Sequence, residues 1–171
     1  AFSGIFDGQR YTVSGLYHND DYYQTGLFEH LSGVVRNVGV MNSYLYGDAC
    51  VGAIAGSAVG NARILNCFSI NNCIGIGDGG GEMGGIVGSA WVGTGESTGI
   101  IADCWAASIY AFDRDGSVVG CEISTHHNYS NRLPIDNCYY LADFETDIHA
   151  GTAYKTAAQF ASGEVAYLLG E

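Results

Sequence analysis

The sequence predicts an all-β solenoid of four to five stacked coils, followed by a short helical segment at the C-terminal end. Two motifs recur at a period of about 32 to 37 residues, and internal repeats of this length are typical of stacked architectures. The intervening runs are short, apolar or alternating, and bounded by Gly, Asn, Asp or Ser, which indicates strands and turns. No single unit can bury its apolar face alone, so the units are expected to stack in register.

The composition indicates a folded chain that forms one domain or one run of repeats. The chain has 171 residues, of which 47% are hydrophobic and 14% are charged. This apolar content can offset the conformational entropy lost on folding, which excludes a disordered chain. The 26 glycines follow no three-residue period and Pro134 is the single proline, which excludes collagen. Tight turns and closely stacked strands are the remaining reasons for so much glycine.

The charge balance excludes two classes of partner. Six Lys and Arg residues stand against 18 Asp and Glu residues, which gives a net charge of −12. Nucleic acids and anionic membranes would be repelled at long range, so neither is expected as a partner. We also find no apolar run of the roughly 18 residues that a membrane-spanning helix needs, and no signal peptide pattern, so no membrane insertion is expected.

The first repeated motif is Gly-small-apolar-apolar-Gly, at residues 52–56, 84–88 and 116–120. Ile86 follows Ile54 by 32 residues, and Val118 follows Ile86 by the same 32. A shorter early variant is Gly26-Leu27-Phe28. Two equal intervals between similar pentapeptides predict that these segments occupy equivalent places in successive coils.

The second motif places Asn or Asp before a cysteine and an aromatic residue. It occurs at Cys67, Cys104 and Cys138, with spacings of 37 and 34 residues, and earlier coils are expected to use Val38 and Leu16 at the same place. We expect these residues to form one internal row, with neighbouring strands about 4.8 Å apart. Cysteine suits such a row as a small buried hydrophobe, although one disulfide within it is also compatible with the spacing.

The C-terminal segment has a different pattern. Thr156 and Gln159 form a capping box, and the run that follows to Leu169 has helical character. We therefore divide the chain into a solenoid at residues 1–147 and a capping segment at residues 148–171. The apolar residues of this segment are expected to cover the open end of the solenoid; they are Phe160, Val165, Leu168 and Leu169.

These motifs resemble the GLUG repeats of bacterial surface proteins, whose unit joins a Gly-Gly-Ile-Val-Gly core to an Asn-Cys-Tyr/Phe strand. The stretch from Phe2 to Leu16 is similar to the usual entry coil of such regions, and residues 137–140 with residues 159–169 are similar to their usual exit. The resemblance implies a right-handed parallel β-helix in large, secreted or wall-attached proteins, including adhesins and non-catalytic regions of surface metalloproteases.

The function implied by this resemblance is a structural or adhesive module without enzymatic activity. The expected location is extracellular, either secreted or on the bacterial cell surface. Candidate partners are a host or cell-surface glycan or protein, or further copies of the chain stacked end to end. Glu29-His30 does not have the residue order of a HExxH zinc protease motif, so no protease site is carried over.

The alternative is a β-helix that binds or degrades polysaccharides, because such enzymes place carboxylates or a metal along one outer face. Asp113-Arg114-Asp115 is the acidic-basic-acidic cluster of this chain, and alternation along a strand would put both carboxylates on one face. A solvated turn explains the same three residues. Asn19-Asp20-Asp21 with Tyr22 and Tyr23 is likewise either an exposed loop or a carbohydrate platform.

Calcium is the one candidate cofactor. Asp78 and Glu82 flank the run Gly79-Gly80-Gly81, where carbonyl oxygens could turn towards a cation, but the Asp-x-Asp-x-Asp-Gly pattern is missing. His126-His127 lacks a third ligand, and adjacent strand residues point to opposite faces. Asn128-Tyr129-Ser130 fits a glycosylation pattern that a bacterial origin would make accidental. Cys50, Cys73 and Cys121 stay unassigned between free and paired thiols.

Overall fold

The protein is all-β apart from two short helices at the C-terminal end. The computed structural model describes residues 1–19, 24–77, 81–93, 95–108, 110–112, 131–141 and 151–170. The helices are α1 (Ala157–Ala161) and α2 (Glu164–Leu169). The strands, in chain order, are β1 (Ile5–Ser14), β2 (Tyr17–Asn19), β3 (Gln24–Thr25), β4 (Phe28–Leu31), β5 (Val34–Met41), β6 (Tyr44–Gly47), β7 (Cys50–Gly52), β8 (Ala55–Val59), β9 (Arg63–Leu65), β10 (Phe68–Ile70), β11 (Cys73–Ile76), β12 (Glu82–Gly84), β13 (Val87–Trp91), β14 (Ile100–Ala102), β15 (Trp105–Ala107), β16 (Tyr110–Phe112), β17 (Ile135–Asp136), β18 (Cys138–Leu141) and β19 (Thr152–Lys155).

The described strands pair in parallel within four sheets. The nine-stranded sheet has the order β17-β14-β9-β5-β10-β15-β18-β19, with β1 added beside β5. The smaller sheets have the orders β16-β11-β6-β2, β12-β7-β3 and β13-β8-β4. Hydrogen-bonded neighbours lie far apart in sequence: Tyr44 of β6, for example, is paired with Cys73 of β11. Strand partners are therefore supplied by successive repeats rather than by hairpins.

One apolar core lies between the sheets, and its side chains form rows that cross the strands. Val35, Ile64, Ile101 and Ile135 are in register on β5, β9, β14 and β17, and the first three are fully buried. Ile54 and Ile86 are also fully buried. Each such side chain contributes about 1.5–3 kcal/mol through its removal from water. The short runs could not provide this burial without the neighbouring strands.

The Asn or Asp of the second motif forms a bend between two parts of the nine-stranded sheet. Asn37, Asn66, Asp103 and Asn137, called here the asparagine row, have φ values of 55°, 50°, 54° and 49°. Asn and Asp tolerate this left-handed region better than other residues with a β-carbon. Their side chains also bond along the row, at 3.4 Å from Asn66 Nδ2 to Asn37 Oδ1 and 2.7 Å from Asn137 Nδ2 to Asp103 Oδ1.

The residues that follow this bend form the predicted internal row. Cys67, Cys104 and Cys138, called here the cysteine row, are buried free thiols on neighbouring strands, and Val38 continues the row on β5. Each thiol donates to the carbonyl two residues earlier, as in the 3.1 Å contact from Cys104 Sγ to the Ala102 oxygen. The row and its burial are therefore confirmed.

The assignment of Leu16 to the cysteine row is wrong. Tyr11 is the β1 residue that pairs with Val38, whereas the Leu16 backbone nitrogen bonds Ser43 Oγ at 3.1 Å. The register of β1 shifts between Asp7 and Tyr11, where three residues face the single residue Asn37. This bulge moves the later residues along the coil, so the sequence offset that fits the other repeats misplaces Leu16.

The glycine motif forms a tight bend between two sheets. Gly84 pairs with Gly52 and Val87 pairs with Ala55, so the first two copies are equivalent as predicted. A Cβ added at Gly88 would lie 2.5 Å from the Val51 backbone nitrogen, which explains why glycine is needed there. The early variant is also confirmed, but it is one residue shorter, since Thr25 pairs with Val51 and Phe28 with Ala55. The third copy, at residues 116–120, lies outside the described residues.

The C-terminal segment contains the predicted capping box. Thr156 accepts a hydrogen bond from the Gln159 backbone nitrogen, and the Gln159 side chain accepts one from the Thr156 nitrogen. However, the expectation that the segment covers the open end is wrong for the residues that make contacts. Phe160 packs on Trp105, and Leu169 lies beside Phe68, so the helices lie along the side of the nine-stranded sheet. The preceding strand β19 pairs with β18 in that same sheet.

Candidate functional site

A groove lies on the outer side of the nine-stranded sheet, between the asparagine row and the end of α2. Its larger part has a volume of about 400 Å³ and is lined by Arg10, Asn37, Val38, Asn66, Phe68, Leu169 and Gly170. A smaller part of about 100 Å³ is lined by Asn66, Phe68, Asp103, Trp105 and Leu169. The two parts share three residues and are therefore continuous. We call them together the lateral groove.

Stacked aromatic side chains form one wall of the lateral groove. The Phe68 and Trp105 rings are nearly coplanar in orientation, with an interplanar angle of 5° and centroids 4.8 Å apart. Phe160 of α1 tilts against Trp105 at 5.7 Å, so the helical segment covers part of this aromatic wall. At the other end, the Phe68 ring lies above Gly39, where any Cβ would overlap it. Glycine at position 39 therefore makes room for the Phe68 ring.

The helical segment is held beside the groove by a polar cluster. Lys155 Nζ donates to Glu164 Oε1 at 2.7 Å, and Gln159 Nε2 donates to the same oxygen at 3.0 Å. The hydrogen bond from Lys155 lowers the pKa of the Glu164 carboxyl below its usual value. The Lys155 ammonium also lies 5.8 Å from the centre of the Tyr139 ring. These contacts fix how α1 and α2 approach the sheet.

The cation of the groove is Arg10, which belongs to the bulge of β1. Gln9 and Arg10 have φ values of 52° and 66°, so this bulge turns in the left-handed region. Asp7, the nearest acidic residue in the bulge, accepts hydrogen bonds from Asn37 and Arg36 at 3.0 and 2.9 Å. The bond from Asn37 is the largest cause of the lowered pKa of Asp7. Among the described residues, Arg10 has no ion-pair partner.

A second polar cluster lies at the glycine bend and was not predicted from the sequence. Ser57 Oγ lies 2.7 Å from His30 Nδ1 and 3.0 Å from Gln24 Oε1. This is the spacing of a nucleophile and a base, but Ser57 is only 2% exposed, which keeps a substrate away from the hydroxyl. His30 and Ser57 are 27 residues apart and meet only through the pairing of β4 with β8.

The thiol beside this cluster is also poorly suited to catalysis. Burial is the main cause that raises the pKa of Cys50, and the Glu82 carboxylate raises it further. The thiolate, which is the nucleophilic form, is therefore disfavoured near neutral pH.

A tyrosine row lies on the sheet that contains β2 and β6. Tyr17 and Tyr44 stack at 5.4 Å with an interplanar angle of 21°, and they are 75% and 37% exposed. Cys73 and Tyr110 occupy the next two positions of this row in the strand register. Because the two rings cover each other's faces, this row presents mainly ring edges to a ligand.

Several predicted site residues lie outside the described residues, namely Asp113-Arg114-Asp115, His126-His127, Asn128-Tyr129-Ser130, residues 20–23, residues 78–80 and Cys121. Of the calcium candidates, Glu82 is half-buried at the start of β12. Of the HExxH comparison, Glu29 is exposed and His30 contacts Ser57. Within the described ranges, no three His, Cys, Asp or Glu side chains are grouped so as to hold a metal ion.

The chain matches no family model, no curated protein and no solved structure. Among the described residues, neither short helix has the length and apolar character needed to cross a lipid bilayer.

Proposed function

We propose that this chain is a non-catalytic structural and adhesive module of a secreted or cell-surface bacterial protein, built as a right-handed parallel β-helix of the GLUG type. The observation that carries the proposal is the in-register stacking of equivalent residues on successive strands. The cysteine row and the asparagine row run side by side across the same sheet. Right-handed connections are the rule between parallel strands of one sheet, which supports that hand for the coil.

Stacking of this kind favours a rigid spacer. Six strands follow one another from β1 through β5, β10, β15 and β18 to β19. At about 4.8 Å per strand they extend over roughly 24 Å, held by backbone hydrogen bonds along the whole distance. The asparagine row adds side-chain bonds in the same direction. A rod of this kind keeps whatever it carries at a fixed distance from its anchor.

The chemistry of the described residues supports a role without catalysis. Ser57 is buried beside its base, and the pKa values of Cys50 and Cys104 are raised, chiefly by burial. The acidic composition, with a net charge of −12, favours an exposed, well-hydrated surface module over a binder of nucleic acid. Contacts with a surface glycan or protein, or with further copies of the chain, would provide adhesion.

The test places the chain between a cell-surface anchor and a reporter domain. The control replaces it with a Gly/Ser linker of the same 171 residues. We expect the reporter to survive thermolysin on the chain and to be released from the flexible linker within minutes, because paired backbone resists cleavage. Equal release from both constructs would contradict the rigid module, and turnover of a polysaccharide by the purified chain would contradict the non-catalytic role.

A further inference from the structure

We propose that the lateral groove binds an acidic oligosaccharide, with a sugar carboxylate on Arg10 and a sugar ring against Phe68. This inference adds a ligand class and a site to the module proposed above. It does not require the module to be a spacer.

The charge of the groove indicates an anionic group on the ligand. The protein has only six Lys and Arg residues and a net charge of −12, so an uncompensated cation is unusual on its surface. Arg36 and Lys155 are engaged with Asp7 and Glu164. Arg10 has no such partner in the described part of the chain, yet it lines the groove. A guanidinium binds a carboxylate through two parallel hydrogen bonds, which gives the ligand a defined orientation.

The aromatic wall suits a sugar ring. One face of Phe68 is stacked on Trp105, while the other is directed towards Gly39, a residue without a side chain. No other ring of the described residues stacks on Phe68. The tyrosine row lacks this advantage, because its rings are stacked on each other. The apolar side of a pyranose could therefore be buried against Phe68.

The amides of the asparagine row suit sugar hydroxyls. Asn37 and Asn66 line the larger part of the groove and offer both donor and acceptor atoms. Asp103 lines the opposite end, where its carboxylate can accept from hydroxyl groups and would repel a second acidic group. The groove is thus asymmetric, with a cation at one end and an anion at the other. The ligand carboxylate is expected at the Arg10 end.

The size of the groove limits the ligand to a short stretch of saccharide. The positions from Asn37 to Asp103 cover two strand spacings, roughly 10 Å, which is about the length of two sugar rings. The main cavity of about 400 Å³ lies in the range of small-molecule sites. A longer chain would run out past α2 or past the bulge of β1.

The experiment is calorimetric titration of the full chain with trigalacturonate, which carries carboxylates, and with the neutral trisaccharide maltotriose. Ionic strength is set to about 0.15 M, where a screening length of roughly 8 Å reduces repulsion by the overall negative charge. We expect saturable binding of trigalacturonate and at least tenfold weaker binding of maltotriose.

Two matched variants assign the site. R10Q is expected to weaken trigalacturonate binding at least tenfold, whereas R63Q removes the same charge from an exposed β9 residue outside the groove and is expected to bind normally. F68L is expected to weaken both sugars, with a thermal melt showing whether it is folded. The inference is overturned if trigalacturonate does not bind, if R10Q and R63Q bind equally, or if maltotriose binds as tightly. The thermolysin experiment contains no saccharide, so either proposal can fail without the other.

Discussion

The asparagine row gives the sharpest test of how sequence dictates this fold. Asn66 has a φ of 50° and an exposed side chain, and its hydrogen bond to Asn37 is long at 3.4 Å. Replacing it with alanine therefore removes little bonding but puts a worse residue in the left-handed region, at a cost of about 1–2 kcal/mol. Glycine adopts this conformation freely, so N66G should lose only the entropy of a more flexible unfolded chain, about 0.5–1 kcal/mol.

The assay is urea unfolding of N66A, N66G and the original protein, followed by circular dichroism. For a chain of this length, 1–2 kcal/mol corresponds to a fall in Tm of roughly 2–8 °C. Asn131 is exposed and lies outside the left-handed region, so N131A serves as the control and is expected within about 0.5 kcal/mol of the original. Equal stability of N66A and the original protein would refute the conformational argument. N66A more stable than N66G would refute it as well.

Three further predictions concern packing, the buried thiols and pH. G88A should destabilise the fold by about 3 kcal/mol or more because its methyl would meet a backbone nitrogen 2.5 Å away, while G95A, with open space around it, should stay within about 0.5 kcal/mol in urea melts. The cysteine row should react with a thiol reagent only after unfolding, and mass spectrometry that found these three cysteines labelled in the native protein would contradict their burial. Glu164 has a lowered folded pKa, so its contact with Lys155 is fully present above the unfolded value of about 4.5 and is lost as pH falls through the lower folded value. Acidification should therefore shift the Trp105 fluorescence of a protein lacking the other tryptophan towards that of E164Q, and identical acid titrations of the two would contradict the role of this contact.

Some of the fold followed from the sequence because the repeat itself carries the information. The 32-residue interval between Ile54 and Ile86 predicted equivalent bends, and the register of β7 with β12 confirmed it. The cysteine row followed for the same reason. Leu16 failed because the bulge at residues 8–10 changed the offset, and an offset is not visible in a single early repeat. The handedness and the surface role implied by the GLUG resemblance stay proposals.

The candidate site was less accessible to prediction. The Asn or Asp before each cysteine was a visible signal, since these residues favour left-handed bends, but its stacking into a groove wall depends on strand register. Arg10 and Leu169 line one cavity although they lie near opposite ends of the chain. His30 and Ser57 likewise meet through β-pairing and belong to no common motif.

The sequence by itself determined the strand-rich repeat, the glycine bends, the buried cysteine row and the capping box of α1, because each depends on residues within one repeat or on a constant interval between repeats. Only the tertiary structure decided that α1 and α2 lie beside the sheet, where Phe160 meets Trp105 and Leu169 meets Phe68. An amphipathic helix shows that it must cover an apolar surface, but not which one. The outward aromatic residues become such a surface only after parallel pairing has stacked them.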